Sequence, residues 1–127
     1  MLIQLEPHEQ HSIQGYDAHS VTLKNGQQFH QNLLIMPNQI ITPWPVDDLA
    51  SLSIEHLKSV LASNPEIILI GHNAATSQRP HDLLAALSQQ RIGMECLSIG
   101  AACRTFNVLL SEQRNVVLGL FFDQKCS

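Results

Sequence analysis

Positive charge is scarce in this sequence. Lys and Arg together number 7 of 127 residues against 11 Asp and Glu, a formal net charge of −4, and the cations form no cluster. A nucleic-acid surface needs a basic stripe that displaces counterions, so no nucleic-acid partner is expected. Cysteine is sparse too. Cys96, Cys103 and Cys126 are odd in number and show no CxxC spacing, which reads as free thiols of a reducing compartment and not as a disulfide framework or zinc site. No apolar run approaches the roughly 20 residues that cross a bilayer. The opening MLIQLEPHEQH has no basic region followed by a long apolar stretch, so no secretory signal is expected. A soluble, cytoplasmic chain that does not span a membrane follows. The phosphate fingerprints GxGxxG and GxxxxGK[ST] are missing, and no cofactor or metal is expected.

What is present is apolar content. At 44% hydrophobic and 14% charged, the chain favours burial over disorder. Its length suits one domain over residues 1–127, with 1–12 as an N-terminal arm. The first third reads as β. Asn25-Gly26 predicts a type I′ hairpin between Val21-Thr22-Leu23 and a strand from Phe29. Gly15 marks a turn or bulge before Tyr16. The run Leu33–Met36 stops at Pro37, and a strand over Gln39 to Thr42 stops at Pro43-Trp44-Pro45.

The period then changes. Ser53 is an N-cap candidate ahead of Ile54, Leu57, Val60 and Leu61 on one helical face, and Asn64-Pro65 ends that helix. Glu66 to Ile70 reads as a strand buried on both faces of a parallel sheet. A loop from Gly71 to Arg79 leads to a helix from about Pro80, with Leu83, Leu84 and Leu87 inward, ending near Gly93. Met94 to Ser98 is a second central strand, residues 102–112 a third helix, and Asn115 to Phe122 the last strand. Strands alternating with helices predict an α/β fold: a three-layer domain with a mixed central β-sheet flanked by helices and an N-terminal β-hairpin.

Two strand ends draw functional interest. Gly71-His72-Asn73 follows a buried parallel strand at its carboxyl end, where ligands of open α/β sheets bind. The bland reading is that Gly71 turns the chain and Asn73 tolerates positive φ. At the second strand end, Gly100-Ala101-Ala102 opens a helix whose Ala102, Cys103, Phe106, Leu109 and Leu110 form a core stripe. Arg104, Thr105 and Asn107 lie off that stripe. With the helix N-terminus they outline an anion cleft together with Gly71, His72 and Asn73; alternatively Arg104 is solvated, and Thr105 and Asn107 satisfy local backbone groups. Cys103 sits where a thiol is activated, yet on the apolar face, where a small buried thiol is ordinary. His72 is the one histidine of the seven placed for acid/base or donor work. Glu112 and Arg114 suggest a local ion pair or a tie from helix end to sheet. Trp44 is either a lid over the N-terminal strands or an exposed partner contact; Val108 and Phe121-Phe122 are further patch candidates.

The stretch AACRTFNVLLSEQRNVV, with ILIG, MPxxI leading to Trp44, Gly15-Tyr16 and Asn25-Gly26, resembles the MTH-like family of small α/β domains that includes mitochondrial respiratory complex I assembly factor 3. The likeness runs from about Ile13 to Leu120. The family ending is like AACRTYNVLLxEGRxV; here Phe106 replaces the tyrosine and Gln113 the glycine. His72-Asn73 stands for a Thr-Gly pair, which argues against a glycine-lined phosphate cradle, and Ile99 for a usually polar residue. The resemblance implies a mixed sheet with one strand antiparallel to the rest. It implies help in assembling complex I for the mitochondrial relatives, and it brings no established enzyme activity. The motif positions carried over are Gly71, Ala102, Cys103, Arg104, Thr105, Asn107, Glu112 and Arg114, with roles unassigned. Three readings stand: an assembly or interaction factor with respiratory or membrane-biogenesis partners, a small-anion binder at the cleft, and an enzyme using His72 or Cys103.

Overall fold

A computed structural model describes residues 10–73 and 80–122. Most of the expected N-terminal arm, most of the expected 71–79 loop, and Cys126 lie outside these residues. Eight strands and three α-helices follow in order: β1 (Ile13–Tyr16), β2 (Val21–Leu23), β3 (Gln28–Phe29), β4 (Leu33–Ile35), β5 (Ile40–Ile41), α1 (Lys58–Leu61), β6 (Ile67–His72), α2 (His81–Gln89), β7 (Gly93–Ser98), α3 (Ile99–Ser111) and β8 (Val116–Leu120).

The central sheet has the order β5-β4-β8-β6-β7. β6 runs parallel to both β7 and β8, whereas β4 is antiparallel to β8 and to β5. One strand, β4, therefore opposes the other four, as the resemblance implied. Strand pleating sends alternate side chains to opposite faces, and here each face feeds its own core. Leu33, Ile35, Leu69, Leu118 and Leu120 pack with Ala102, Cys103, Phe106 and Leu110 of α3. Leu34, Ile68, Ile70 and Val117 pack with Trp44, Leu57, Val60, Leu83 and Leu87. The continuous apolar runs of β6 and β8 are thus the signature of strands covered on both sides.

β1, β2 and β3 form a separate antiparallel sheet with a bulge between Ile13 and Gly15. Ile13, Val21 and Leu23 dip into the α3 core. The hairpin turn differs from the type I′ expectation. Gly26 has φ +95° while Asn25 is absent from the positive-φ residues, and Gly26 N–H donates to the Leu23 carbonyl. Only one left-handed residue is used, because the Asn25 side chain accepts from Gln27 N–H and stabilises the ordinary turn conformation.

The first expected helix is shorter and tighter. Residues Ile54–Leu57 form a 3-10 turn that passes into α1, and Ser53 caps it in a reciprocal box with His56. Two other helix ends place non-glycine residues in the left-handed region, Arg91 at φ 62° and Gln113 at φ 59°. Gln113 stands where the family pattern has glycine, so that glycine answers a backbone need. α3 begins three residues earlier than periodicity suggests. β7 runs directly into it, with Ser98 as N-cap: its Oγ accepts from Ala101 N–H at 3.2 Å.

Candidate functional site

The expected cleft residues gather around the carboxyl ends of β6 and β7, and the N-terminal sheet closes over them. Gly71 pairs with Leu97 on one side and Leu120 on the other; His72 pairs with Ser98. A Cβ built on Gly71 would lie 2.8 Å from Leu120 Cδ2, 3.0 Å from Ala102 Cβ and 3.1 Å from Ile99 Cα. Glycine is required so that α3 can rest directly on β6. This corrects the expectation that Gly71 turns the chain or admits a ligand: it is buried, in a strand that continues through His72.

Tyr16 lies over the start of α3. Its hydroxyl accepts from Arg104 Nη1 at 2.8 Å, and a Cβ on Gly100 would come within 2.6 Å of that oxygen. The small residue at position 100 therefore makes room for a tyrosine of the same chain. Asn73 Nδ2 reaches the Ala18 carbonyl in the β1–β2 turn at 3.3 Å. Asp17 holds that turn by accepting from His19 N–H and Ser20 Oγ, and the His19 bond is the chief cause of its lowered pKa.

Thr105 Oγ1 donates back to the Ala101 carbonyl at 2.8 Å, a local bond within the helix. Asn107 does more. It accepts from Ile13 N–H at 2.7 Å and donates to the Ile13 carbonyl at 2.9 Å, closing a two-bond clamp onto β1. The side chain expected to line the cleft is instead the anchor of the N-terminal sheet. Arg104 stays exposed, and His72 is half-buried with its Nδ1 enclosed and, among the described residues, without a hydrogen-bond partner. Desolvation lowers the His72 pKa, keeping the ring neutral to more acidic pH than usual.

Cys103 is 1% exposed. Burial pushes its thiol up to about 12, with Arg104 opposing the shift, so the reactive thiolate is suppressed. The folded-state value is raised, so the resulting stability is complete below the ordinary thiol value of 9.0 and is lost as pH rises towards about 12. Unfolding measured across that alkaline range should show a steep fall that Cys103→Ala flattens. Iodoacetamide at pH 8 should label Cys103 only after denaturation.

Trp44 corrects another expectation. It is 4% exposed, its ring lies 5.0 Å from that of Phe121, and its Nε1–H donates to the His56 carbonyl at 3.2 Å. A Cβ on Gly119 would sit 2.9 Å from the indole. Trp44 is a lid on the face of the sheet away from the N-terminal strands, and Phe121 and Phe122 are buried as well. None of the three is an exposed contact: the indole fills the space that Gly119 leaves on β8 and packs on Phe121, while Phe122 joins the α3 core. Val108 does stand out, 55% exposed on α3, and Tyr16 is 44% exposed. Arg114 lies 3.6 Å from Glu66 and 3.9 Å from Glu112, joining the end of α3 to the sheet through solvent-exposed charges. A groove of about 650 Å³ lies elsewhere, between Leu52-Ser53-Ile54 and Pro80 to Ala86. Among the described residues no group of three or more His, Cys, Asp or Glu is placed to hold a metal, and no helix is long and apolar enough to cross a membrane.

Sequence reasoning singled out Arg104 and His72 but missed Tyr16 and Ser98 as parts of the same corner. The signal for Tyr16 was Gly100, whose missing side chain leaves space for the ring.

Together these features define a class: three-layer α/β domains whose strand-end corner is roofed by their own N-terminal sheet. The chain belongs to the family described as "Protein of unknown function (DUF498/DUF598)", whose model matches residues 13–121. It is 30% identical over 90 residues to the "13 kDa major membrane protein" of Francisella tularensis, covering 70% of this chain and 73% of that one. It is 29% identical to "NADH dehydrogenase [ubiquinone] 1 alpha subcomplex assembly factor 3" of Danio rerio, over 71% of this chain but 52% of that protein, so the likeness spans about half of it. A solved structure from Xanthomonas campestris superposes with a TM-score of 0.80 at 32% identity, covering 98% of this chain and 96% of the other. A Bordetella pertussis structure described as an Mth938-like domain shares the fold at 21% identity and a TM-score of 0.76, over 98% and 94% of the two chains.

Proposed function

We propose that this chain is a non-catalytic interaction factor, working from the cytoplasm in the assembly of respiratory or other membrane complexes. The observation that carries this reading is the outer strip of α3. Among the described residues Val108 and Tyr16 are the large apolar groups that stand out from the surface. Arg104 joins them, bonded to Tyr16 and one helical turn before Val108. Tyrosine and arginine beside an exposed aliphatic group are the chemistry of interface anchors. The assembly role named for the zebrafish relative supports the same reading. The test is tagged capture from the native host, quantified against a tag-only control. Wild type should enrich respiratory-chain or membrane-insertion subunits, and Val108→Glu should lose at least tenfold of that enrichment while melting normally. Equal capture by both proteins, or enrichment of neither class, would reject it.

Among the described residues His72 Nδ1 is enclosed and unpartnered, which favours a second reading, a small-anion site at His72, Asn73 and Arg104. Inorganic phosphate should then raise the melting temperature of wild type and leave that of Arg104→Ala unmoved; equal shifts would dismiss the site.

A further inference from the structure

One side of α3 stays out of the core. Its buried face is Ala102, Cys103, Phe106, Leu109 and Leu110, with Ile99 at the start. On the opposite side Arg104, Val108 and Glu112 are all exposed. They are four residues apart, so they form a single row along the helix, about 6 Å from one to the next. Glu112 keeps that register as the C-cap, its N–H bonded to the Val108 carbonyl at 3.2 Å. The row reads cation, aliphatic, anion. Arg104 is steadied from one side, where Nη1 donates to the Tyr16 hydroxyl at 2.8 Å. That bond takes one of five guanidinium donors. Glu112 has Arg114 at 3.9 Å in solvent, an arrangement worth little on its own. Beside the row, Thr105 and Ser111 are small and donate their hydroxyls to carbonyls of their own helix. Neither brings a donor that a close neighbour must satisfy.

We propose that this strip is a self-association surface, on which α3 of a second copy packs antiparallel about a twofold axis at Val108. Reversing the row turns cation, aliphatic, anion into anion, aliphatic, cation. The twofold therefore sets Arg104 against Glu112 of the partner subunit, Glu112 against Arg104 of the partner subunit, and Val108 against Val108 of the partner subunit. A parallel copy would set arginine on arginine and glutamate on glutamate, so charge selects the antiparallel sense. The proposal rests on the interaction reading in taking the α3 strip as the contact surface, and it commits that surface to a second copy. The row is complementary to its own reverse, a symmetry that an unrelated partner does not require. Reciprocal contacts of this kind close at two subunits. The tyrosine bond orients the guanidinium beforehand, which lowers the entropy lost on pairing. Two features oppose association. Each copy carries a formal net charge of −4, and the footprint is small. With 13 residues, α3 is about 20 Å long, short of a standard stable interface, so dimerisation should depend on concentration.

Charge reversal in the full chain tests this pairing. Sedimentation velocity from low to high micromolar concentration should show a monomer–dimer equilibrium for wild type. Arg104→Glu and Glu112→Arg each set like charges at both contacts and should weaken dimerisation at least tenfold. The double variant restores opposite signs and should recover the wild-type equilibrium. An equimolar mixture of the two single variants should recover it too, because each reversed residue then meets its complement. Val108→Glu sets two carboxylates at the axis and should also weaken the dimer at least tenfold. Circular dichroism checks each fold. If the double variant fails to fold, the mixture decides; if a single variant fails, the double variant and Val108→Glu decide. A monomer throughout the range overturns the proposal. So does a dimer that the single reversals leave intact, or one that neither the double variant nor the mixture restores. Capture from the native host separates this claim from the wider one. A monomeric wild type that still enriches its partners overturns self-pairing alone, whereas a dimer obeying the charge rules beside an empty capture supports self-pairing and rejects the assembly role.

Discussion

Asn107→Ala is expected to destabilise the domain by about 2–4 kcal/mol and to loosen the N-terminal sheet first, since each buried backbone group left unpaired costs about 1–3 kcal/mol. The clamp holds both the N–H and the carbonyl of Ile13 across 94 residues of sequence. Ile13 is buried, so water is a poor substitute for the lost amide. Urea unfolding gives the size of the loss, and hydrogen exchange at β1 and β2 gives its place. Asn107→Asp separates the two bonds. The carboxylate keeps the acceptor for Ile13 N–H but presents a second oxygen to the Ile13 carbonyl, so it should be no better than alanine at neutral pH. A variant as stable as wild type would mean that the two bonds contribute nothing beyond the packing of α3.

The second large effect is Trp44→Ala, expected to reduce stability by about 3–5 kcal/mol, the range for removing a buried aromatic side chain. The indole covers Gly119, packs on Phe121 and holds the His56 carbonyl through its N–H. Its removal opens a cavity and also frees the 3-10 turn that carries Leu57. A much smaller loss in urea unfolding would show that the cover over β8 collapses into the space. The variant also bears on partner binding: any loss of capture by Trp44→Ala must first be referred to unfolding, and Val108 is the cleaner surface probe.

The sheet was legible because its strands carry their own evidence. Ile67 to Ile70 and Val116 to Leu120 are apolar at consecutive positions, which only two-sided burial explains. The stripe Ala102, Cys103, Phe106, Leu109 and Leu110 likewise identified the buried face of α3. Reasoning from neighbours in sequence misassigned the residues whose partners are distant. Gly71 looks like a turn because its reasons, Ala102 and Leu120, lie far along the chain. Trp44 looks exposed between two prolines because Gly119 supplies its seat. Asn107 looks like a free polar group because Ile13 is at the opposite end. For the corner as a whole, residue type pointed to the strand ends where these side chains meet, while the partners of Asn107, Thr105 and Arg104 emerged only in three dimensions.

The strand pairing has a consequence for biosynthesis. β4 is made early, yet its central neighbour is β8, the last strand among the described residues: Leu33 meets Leu120 and Ile35 meets Leu118. Asn32, just ahead of β4, accepts from Phe122 N–H through its side chain. β1 waits for α3 in the same way. Contacts of such sequence separation form slowly, and here they cannot begin until the ribosome has released almost the entire domain. A nascent chain halted before Leu120 would display Leu33, Leu34 and Ile35 without their lateral partner, a ready target for chaperones and for its unfinished neighbours on the same message.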